Sequence, residues 1–293
     1  MLIFGIIKMS KKYISGETKE QRKARKSKEK RSKALDELVK LDEELGLYDI
    51  PYNANPLLKD NYYVLCLKHG TKYSAEYVNR LYNMVQRNCT LDVEFVCLTD
   101  DSKGIDPRIK ILSLPTYLKG WWCKPYMFSN DLPLKGTVLY MDLDVVIANN
   151  IDQLFTYYPQ SWCTIRDFTR KMRPTWEKYN SSIVRFRTGT MDQFWKNFKN
   201  NSDQIQKKFY GDQDWLFDAT HIEKPAKLYP DEWIQSWKWE VRQNKDLNRG
   251  ARGSRQLRVI EHVTPGPECC VCVFHGDPNP ENCLDPWVVN NWK

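Results

Sequence analysis

Val138-Leu139-Tyr140-Met141-Asp142-Leu143-Asp144-Val145-Val146-Ile147 reads as the strongest strand in the chain. Alternation puts Val138, Tyr140, Asp142, Asp144 and Val146 on one face and Leu139, Met141, Leu143, Val145 and Ile147 on the other. Two carboxylates therefore project together from an otherwise apolar strand. Burying them unpaired is costly unless a cation or strong donors compensate. A divalent metal is the economical answer, and hard oxygen ligands at this spacing suit Mg²⁺ or Mn²⁺, which keep positions open for phosphate oxygens. The plainer alternative is a pair of strand-end carboxylates capping a turn. Asp-x-Asp alone says little, because at an Asp usage of roughly one in twenty about one match arises by chance in a chain this long. A second one, Asp212-Gln213-Asp214, is indeed present. The apolar setting is what sets the first apart.

Working outward, the pattern predicts parallel strands joined by crossover helices. Strands are expected at Tyr63 to Leu67, Val93 to Leu98 and Ile109 to Leu112, with helices at Ala75 to Arg87 and Trp121 to Asn130. Beyond Asp152, strands are expected at Trp162 to Arg166 and Ser182 to Phe186, and a helix at Met191 to Phe209. Tyr229 to Trp239 reads as irregular and Trp-rich, Gln243 to Arg255 as a polar mobile loop, and Val271 to Phe274 as a last strand delivering His275 and Gly276. Thr18 to Gly46 reads as a charged helix that becomes amphipathic at Leu35, Leu38, Leu41 and Leu45, and Pro51 and Pro56 mark a linker. The expected organisation is a basic arm and helix over 1–56 and a catalytic domain over 57–293, itself divided into a nucleotide-binding half (57–150) and a sugar and acceptor half (151–293).

The chain of 293 residues, 41% apolar and 13% aromatic, can bury a large core. Its net charge of +8 is confined to one end. Met1 to Lys33 carries twelve Lys/Arg against three Glu, a net of +9, which leaves −1 for everything else. The body thus lacks the basic character of a nucleic-acid binder, while the arm suits an anionic surface or is simply solvated. MLIFGII at the start is too short to span a membrane and lacks the basic n-region and cleavage site of a signal peptide, so no transmembrane segment is expected. Nine cysteines is an odd number, and Cys66, Cys97 and Cys123 fall in apolar runs, which suits reduced thiols in the cytoplasm.

YMDLDVVI followed by Asn150-Ile151-Asp152 resembles the metal-binding strand of GT-A glycosyltransferases, especially the retaining family of glycogenin and the lipopolysaccharide galactosyltransferases. The likeness covers most of Tyr63 to Trp287. It implies a Rossmann-like α/β fold with a mixed, mostly parallel sheet flanked by helices, here carrying a charged helical extension at the N-terminus. It also implies Mn²⁺ (or Mg²⁺) held by Asp142, Asp144 and His275, a nucleotide-sugar donor with a UDP-sugar foremost, and a carbohydrate or glycoconjugate acceptor. His275, at the carboxyl end of a strand and before the turn-rich Gly276-Asp277-Pro278-Asn279-Pro280, sits where α/β sheets bind ligands, with Gly276 near phosphate. The family's Lys after that Gly is replaced by Asp277 and Asn279, so Lys124 in GWWCKPYMF is the candidate cation facing the donor. Lys68 to Tyr73, including both named residues, and Asp100 fall where such enzymes recognise the nucleotide. Tyr179-Asn180-Ser181-Ser182, expected just before a strand, resembles the element lining the sugar site, with Ser182 in place of a Gly. Asp212, Gln213 and Asp214 resemble the Asp-Gln element beneath the anomeric carbon, although Asp212 also looks like a helix N-cap. The implied mechanism is stabilisation of the departing diphosphate by a Lewis-acidic metal and a cation.

Three other readings compete. Cys269, Cys270, Cys272, His275 and Cys283 cluster in the manner of zinc ligands, but in no regular two-plus-two spacing, and alternation sets Cys269 opposite Cys270 and Cys272. A nucleotidyltransferase acting on sugar phosphates would carry a Gly-rich basic loop after the first strand, where Lys68 to Tyr73 has one Gly. An RNA-binding protein would rest on the N-terminal arm alone. Trp233, Trp237 and Trp239 suit either an acceptor platform or core packing.

Overall fold

The computed structural model describes residues 61–242 and 263–293, together with Lys26. The expectations for the basic arm, the charged helix, the linker and the 243–255 loop lie outside the described residues.

Strand β1 (Tyr62–Lys68), helix α1 (Ala75–Asn88), β2 (Val93–Thr99) and β3 (Lys110–Ser113) form a parallel βαβ-type start, as the apolar runs predict. α1 earns its place by burying Tyr77, Val78, Leu81, Tyr82, Met84 and Val85 on one stripe. β4 (Thr137–Met141) pairs in parallel with β1, and β7 (Tyr179–Arg187) runs antiparallel beside β4. β6 (Cys163–Arg166) and β8 (Lys227–Leu228) complete a seven-stranded sheet of order β3-β2-β1-β4-β7-β6-β8, parallel in most of its ladders. A second sheet of three strands sets β10 (Val271–Val273) between β5 (Val145–Ile147) and β9 (Ile234–Ser236). Helices α2 (Asp152–Thr156), α3 (Asp192–Lys208), α4 (Asp212–Thr220) and α5 (Pro286–Asn291) flank them.

The strand expected over Val138 to Ile147 is two strands in two sheets. Asp142 N–H still donates to the Ser182 carbonyl at 2.8 Å, continuing the ladder of the large sheet, and the Asp144 carbonyl already accepts from Phe274 N–H at 2.8 Å beside the small one. The chain changes sheets across Asp142-Leu143-Asp144. Both flanks are fully apolar and buried, so the period-two pattern runs through the break unmarked.

Other departures have local causes. Gly120–Phe128 is a 3₁₀ segment rather than an α-helix, with Pro125 inside it lacking the N–H that an α-helix needs. Tyr179 to Ser182 lies within β7, not before it, because the β6–β7 register slips between Thr164 and Ile165. The Thr164 hydroxyl donates to the carbonyls of Asn180 (2.9 Å) and Ile183 (3.0 Å), and residues 181 to 183 bulge from the β6–β7 ladder. The Trp-rich run is ordered: β9 leads into a π-helical turn, Trp237–Val241. Trp237 is core, stacked on Phe274 and Trp287.

All nine cysteines are free thiols, eight of them buried. Cys269 precedes β10 instead of alternating within it, and its sulfur lies 3.7 Å from that of Cys272, so the two do not face apart. Among the described residues no helix is long and apolar enough to cross a membrane. Arg185, buried in β7, donates to the carbonyls of Tyr157, Tyr158, Pro159 and Ser161 and so fixes the loop after α2.

Asp152 is a lock rather than a site residue. Its carboxylate accepts from Thr90 N–H at 2.8 Å, from the Thr90 hydroxyl and from the Asn150 amide at 3.0 Å. Burial raises its pKa, but these donors outweigh burial and hold it below the usual carboxylate value. A depressed carboxylate stabilises the fold above its unfolded pKa and ceases to do so as pH falls through the lower folded value. Asp152→Asn is therefore expected to cost up to about 1 kcal/mol at neutral pH, discounted for partial exposure, with the gap to wild type closing below about pH 4. Urea melts at both pH values check this, and a gap that widens in acid contradicts it.

Candidate active site

The break between β4 and β5 puts Asp142 and Asp144 at the carboxyl end of the large sheet, each half-buried. Asp142 accepts from the Tyr140 phenol at 2.7 Å and from the Lys124 ammonium at 2.9 Å. Lys124 is delivered by the 3₁₀ segment and reaches the Ser181 hydroxyl at 3.1 Å and Asp212 at 3.8 Å. Asp212, buried in the first turn of α4, accepts from Ser181 at 2.6 Å. Gly211, extended at φ −152° and ψ 174°, is the N-cap of α4, so Asp212 is spared that role and faces the cluster. The bulge in β7 is what brings Ser181 here. Asp144 accepts from the Tyr73 phenol at 2.9 Å.

The electrostatics follow from crowding. Burial, then the charge of Asp142, pushes Asp144 up to about 6. Burial lowers the Lys124 pKa, but Asp142 and Asp212 more than reverse this, so the lysine stays charged. Burial raises Asp212 while Lys124 and Ser181 oppose it. Two carboxylates, Asp142 and Asp212, thus share the Lys124 ammonium, while Asp144 has the Tyr73 phenol.

Next to this cluster, across Asn180 and Gln213, lies a cavity of about 360 Å³ that Asp142, Asp144, Lys124 and Asp212 do not line. Asn180, Gln213, Asp214 and His275 line it, as do Asp167, Phe168, Thr169, Trp176, Lys178, Tyr179 and Trp239. The Asn180 amide donates to Gln213 at 3.3 Å, and Lys178 lies 3.7 Å from Asp214. Consecutive residues of α4 divide the work: Asp212 faces the acidic cluster, and Gln213 and Asp214 face the cavity. His275 stacks on Phe168, meets the edge of Trp239, and its Nε2 is 2.5 Å from the Ser236 hydroxyl. Burial, then the Lys238 charge, lowers its pKa to about 4, so the imidazole is neutral.

Not every expected residue converges here. Lys68 is buried with its ammonium on the Asp101 carbonyl at 3.1 Å, and Asp100 accepts from Gly70 N–H at 3.0 Å, so these two brace the loops after β1 and β2. Of the three tryptophans, Trp239 alone lines the cavity; Trp233 packs on Tyr157 and Tyr229.

No protein-family model and no curated protein matches this chain. Solved structures do. An active-site mutant of LgtC matches at 11% identity and TM-score 0.50, over 76% of this chain and 91% of its own. The glycosyltransferase GlyE of Streptococcus pneumoniae TIGR4 matches at 10% identity and TM-score 0.53, over 80% of this chain and 62% of its own. A complex of LgtC with donor and acceptor sugar analogues, where it is called a galactosyltransferase, matches at 12% identity and TM-score 0.48, over 78% and 93%. The fold is GT-A.

Within the GT-A frame the acidic pair fits a divalent ion in its chemistry. Two half-buried carboxylates, one raised by burial and then by the other's charge, are what a cation between them would relieve. His275 is in the neutral form that ligates metals. Among the described residues, however, no three His, Cys, Asp or Glu side chains stand close enough to hold an ion as they are, which applies equally to the cysteine cluster around His275. Sequence reasoning missed Tyr140, Ser181 as a ligand of Asp212, and the cavity wall from Asp167 to Thr169 and Trp176 to Lys178. The last comes from an irregular stretch whose one local signal is Asp167, an N-cap bonded to Thr169 N–H at 2.9 Å.

Proposed function

We propose that this protein is a metal-dependent glycosyltransferase that moves a sugar from a nucleotide-diphosphate donor, a UDP-sugar foremost, to a carbohydrate or glycoconjugate acceptor. The observation that carries this reading is the placing of Asp142 and Asp144, in a GT-A fold, beside a cavity walled by Gln213, Asp214 and Asn180. Asp142 and Asp144 would hold Mn²⁺ or Mg²⁺, with His275 as the third protein ligand once its imidazole turns from Ser236. The ion supplies Lewis acidity toward the departing diphosphate.

The chain's own residues do the rest. Lys124 holds Asp142 and Asp212 in place, since its ammonium is directed at them and not into the cavity. Tyr73 and Tyr140 donate to one carboxylate each and leave the remaining lone pairs for the ion. Gln213 and Asp214 offer an amide and a carboxylate to a sugar and to a positively charged anomeric centre. Trp176 and Trp239 supply flat apolar walls suited to the C–H faces of a pyranose. The free buried thiols suit a reducing compartment such as the cytoplasm.

A panel of nucleotide-sugars with Mn²⁺, scored for release of nucleoside diphosphate, tests the reading. Release from one donor, stimulated by an oligosaccharide acceptor, is expected. Pyrophosphate release from a nucleoside triphosphate and a sugar phosphate would instead favour a nucleotidyltransferase.

A further inference from the structure

Consecutive tryptophans open the 3₁₀ segment that carries Lys124, and they diverge. Trp122 turns inward, 9% exposed and stacked on Phe198 at 5.7 Å, where core packing accounts for it. Trp121 turns outward, 49% exposed, and stacks on Tyr210 at a ring separation of 5.9 Å and an angle of 28°. Tyr210, in the link between α3 and α4, is itself 86% exposed. Scattered surface rings are ordinary, but two set nearly parallel by different elements make a platform.

The platform is seated on the site. Trp121 lies against Gly211, the N-cap of α4, where a Cβ would stand 3.8 Å from the indole nitrogen. Lys124 follows Trp121 by three residues, and Gln213 follows Tyr210 by three, a stretch that spans at most about 11 Å. Neither ring lines the cavity that Gln213 and Asp214 wall, so the platform is a separate surface continuous with it. Among the described residues neither the Trp121 indole N–H nor the Tyr210 phenol is hydrogen-bonded to the protein.

On the glycosyltransferase reading above, we infer that Trp121 and Tyr210 form an outer subsite that stacks a distal sugar ring of an oligosaccharide acceptor, beyond the ring that receives the transferred sugar. Flat apolar faces with unbonded polar edges suit a pyranose, which offers a C–H face and a rim of hydroxyls. Two rings are too small a surface for a stable protein interface, which takes about 800 Å² from each partner. Exposed Lys119, Lys207 and Lys208 flank them in the sequence and interrupt any wider apolar patch. The acceptor is then a chain of sugars rather than a single one.

Nucleoside diphosphate release by the full-length protein, with Mn²⁺ and the donor it turns over, tests this on mono- to tetrasaccharide acceptors of the gluco-, galacto- and N-acetylglucosamine series. For wild type, kcat/KM is expected to rise with acceptor length. Trp121→Ala and Tyr210→Ala are each expected to lower the ratio of kcat/KM on the trisaccharide to that on the monosaccharide about ten-fold, the scale of one aromatic contact. Trp121→Phe is expected to keep most of that ratio. Should melts show that Trp121→Ala disturbs the fold, Tyr210→Ala, which removes a ring outside the core, carries the test. A wild type indifferent to length, or variants with the wild-type ratio, overturn the inference and leave the enzyme reading standing. Equal losses at every length also overturn it, because the rings then merely seat α4. Release that only a polypeptide stimulates, or that no saccharide stimulates, overturns it as well. If no nucleotide-sugar is turned over, the enzyme reading itself fails and the inference falls with it.

Discussion

Asp144→Asn is expected to lower sugar transfer by about 10²- to 10³-fold, the scale on which removing one electrostatic group from a preorganised site acts. The fold is expected to survive. Asparagine has the same shape, and its amide oxygen still accepts from the Tyr73 phenol that now bonds Asp144 at 2.9 Å. What it loses is the negative charge, and in the free protein that charge is unfavourable: burial first, then Asp142, pushes the carboxyl up to about 6. Removing it relieves repulsion, so the melting temperature is expected to hold or rise while activity collapses. Asp142→Asn differs instructively, because Asp142 pairs with Lys124 at 2.9 Å and its loss leaves that ammonium with Asp212 at 3.8 Å. That variant is expected to lose both transfer and stability. Nucleoside diphosphate release and thermal melts on the two proteins decide the matter. Wild-type turnover by Asp144→Asn would refute the assignment of the acidic pair.

Asp285→Ala is expected to be the most damaging single change to stability away from the site. Asp285 and Arg242 are 1% and 3% exposed and meet at 3.0 Å. Removing one side of such a buried pair takes a hydrogen-bonded counter-charge from the other and costs about 3 kcal/mol. The same carboxylate caps α5 through Trp287 N–H at 3.2 Å, a further ~1 kcal/mol. α5 then anchors the C-terminus onto α1, where Arg80 reaches the Trp292 carbonyl at 3.0 Å and Arg87 the Asn291 carbonyl at 2.9 Å. Arg242→Leu combined with Asp285→Leu should recover part of the loss, since both buried charges of the pair are then replaced by apolar side chains. Urea unfolding measures all three proteins, and a cost below about 1 kcal/mol for Asp285→Ala would show the pair to be inessential.

Much of this architecture was legible in residue order. β1, α1 and β2 fall within a residue of where the apolar periodicity puts them, because each buries one stripe or face against one neighbour. The Asp142–Asp144 pair was also legible, though for a partly wrong reason: they do not share the face of one strand but flank a change of sheet. Apolar alternation cannot mark such a change when both sheets are buried. The partners of the pair were less accessible. Lys124 and Asp212 were singled out by resemblance, whereas their meeting depends on a bulge opposite Thr164 that no local pattern announces. Trp239 and Lys238 reach His275 from a π-turn, a geometry without a sequence period of its own. Lys68 and Asp100 show the converse, charged residues at strand ends whose bonds run to the neighbouring loops.

The passage from one sheet to the other has a mechanical corollary. Asp142 is fastened by its amide to β7 and Asp144 by its carbonyl to the end of β10, with Leu143 buried between them. The acids are thus bolted to separate plates, and the gap between them reports how those plates sit. Whatever closes or wedges the plates changes the spacing of the two carboxylates without touching either one.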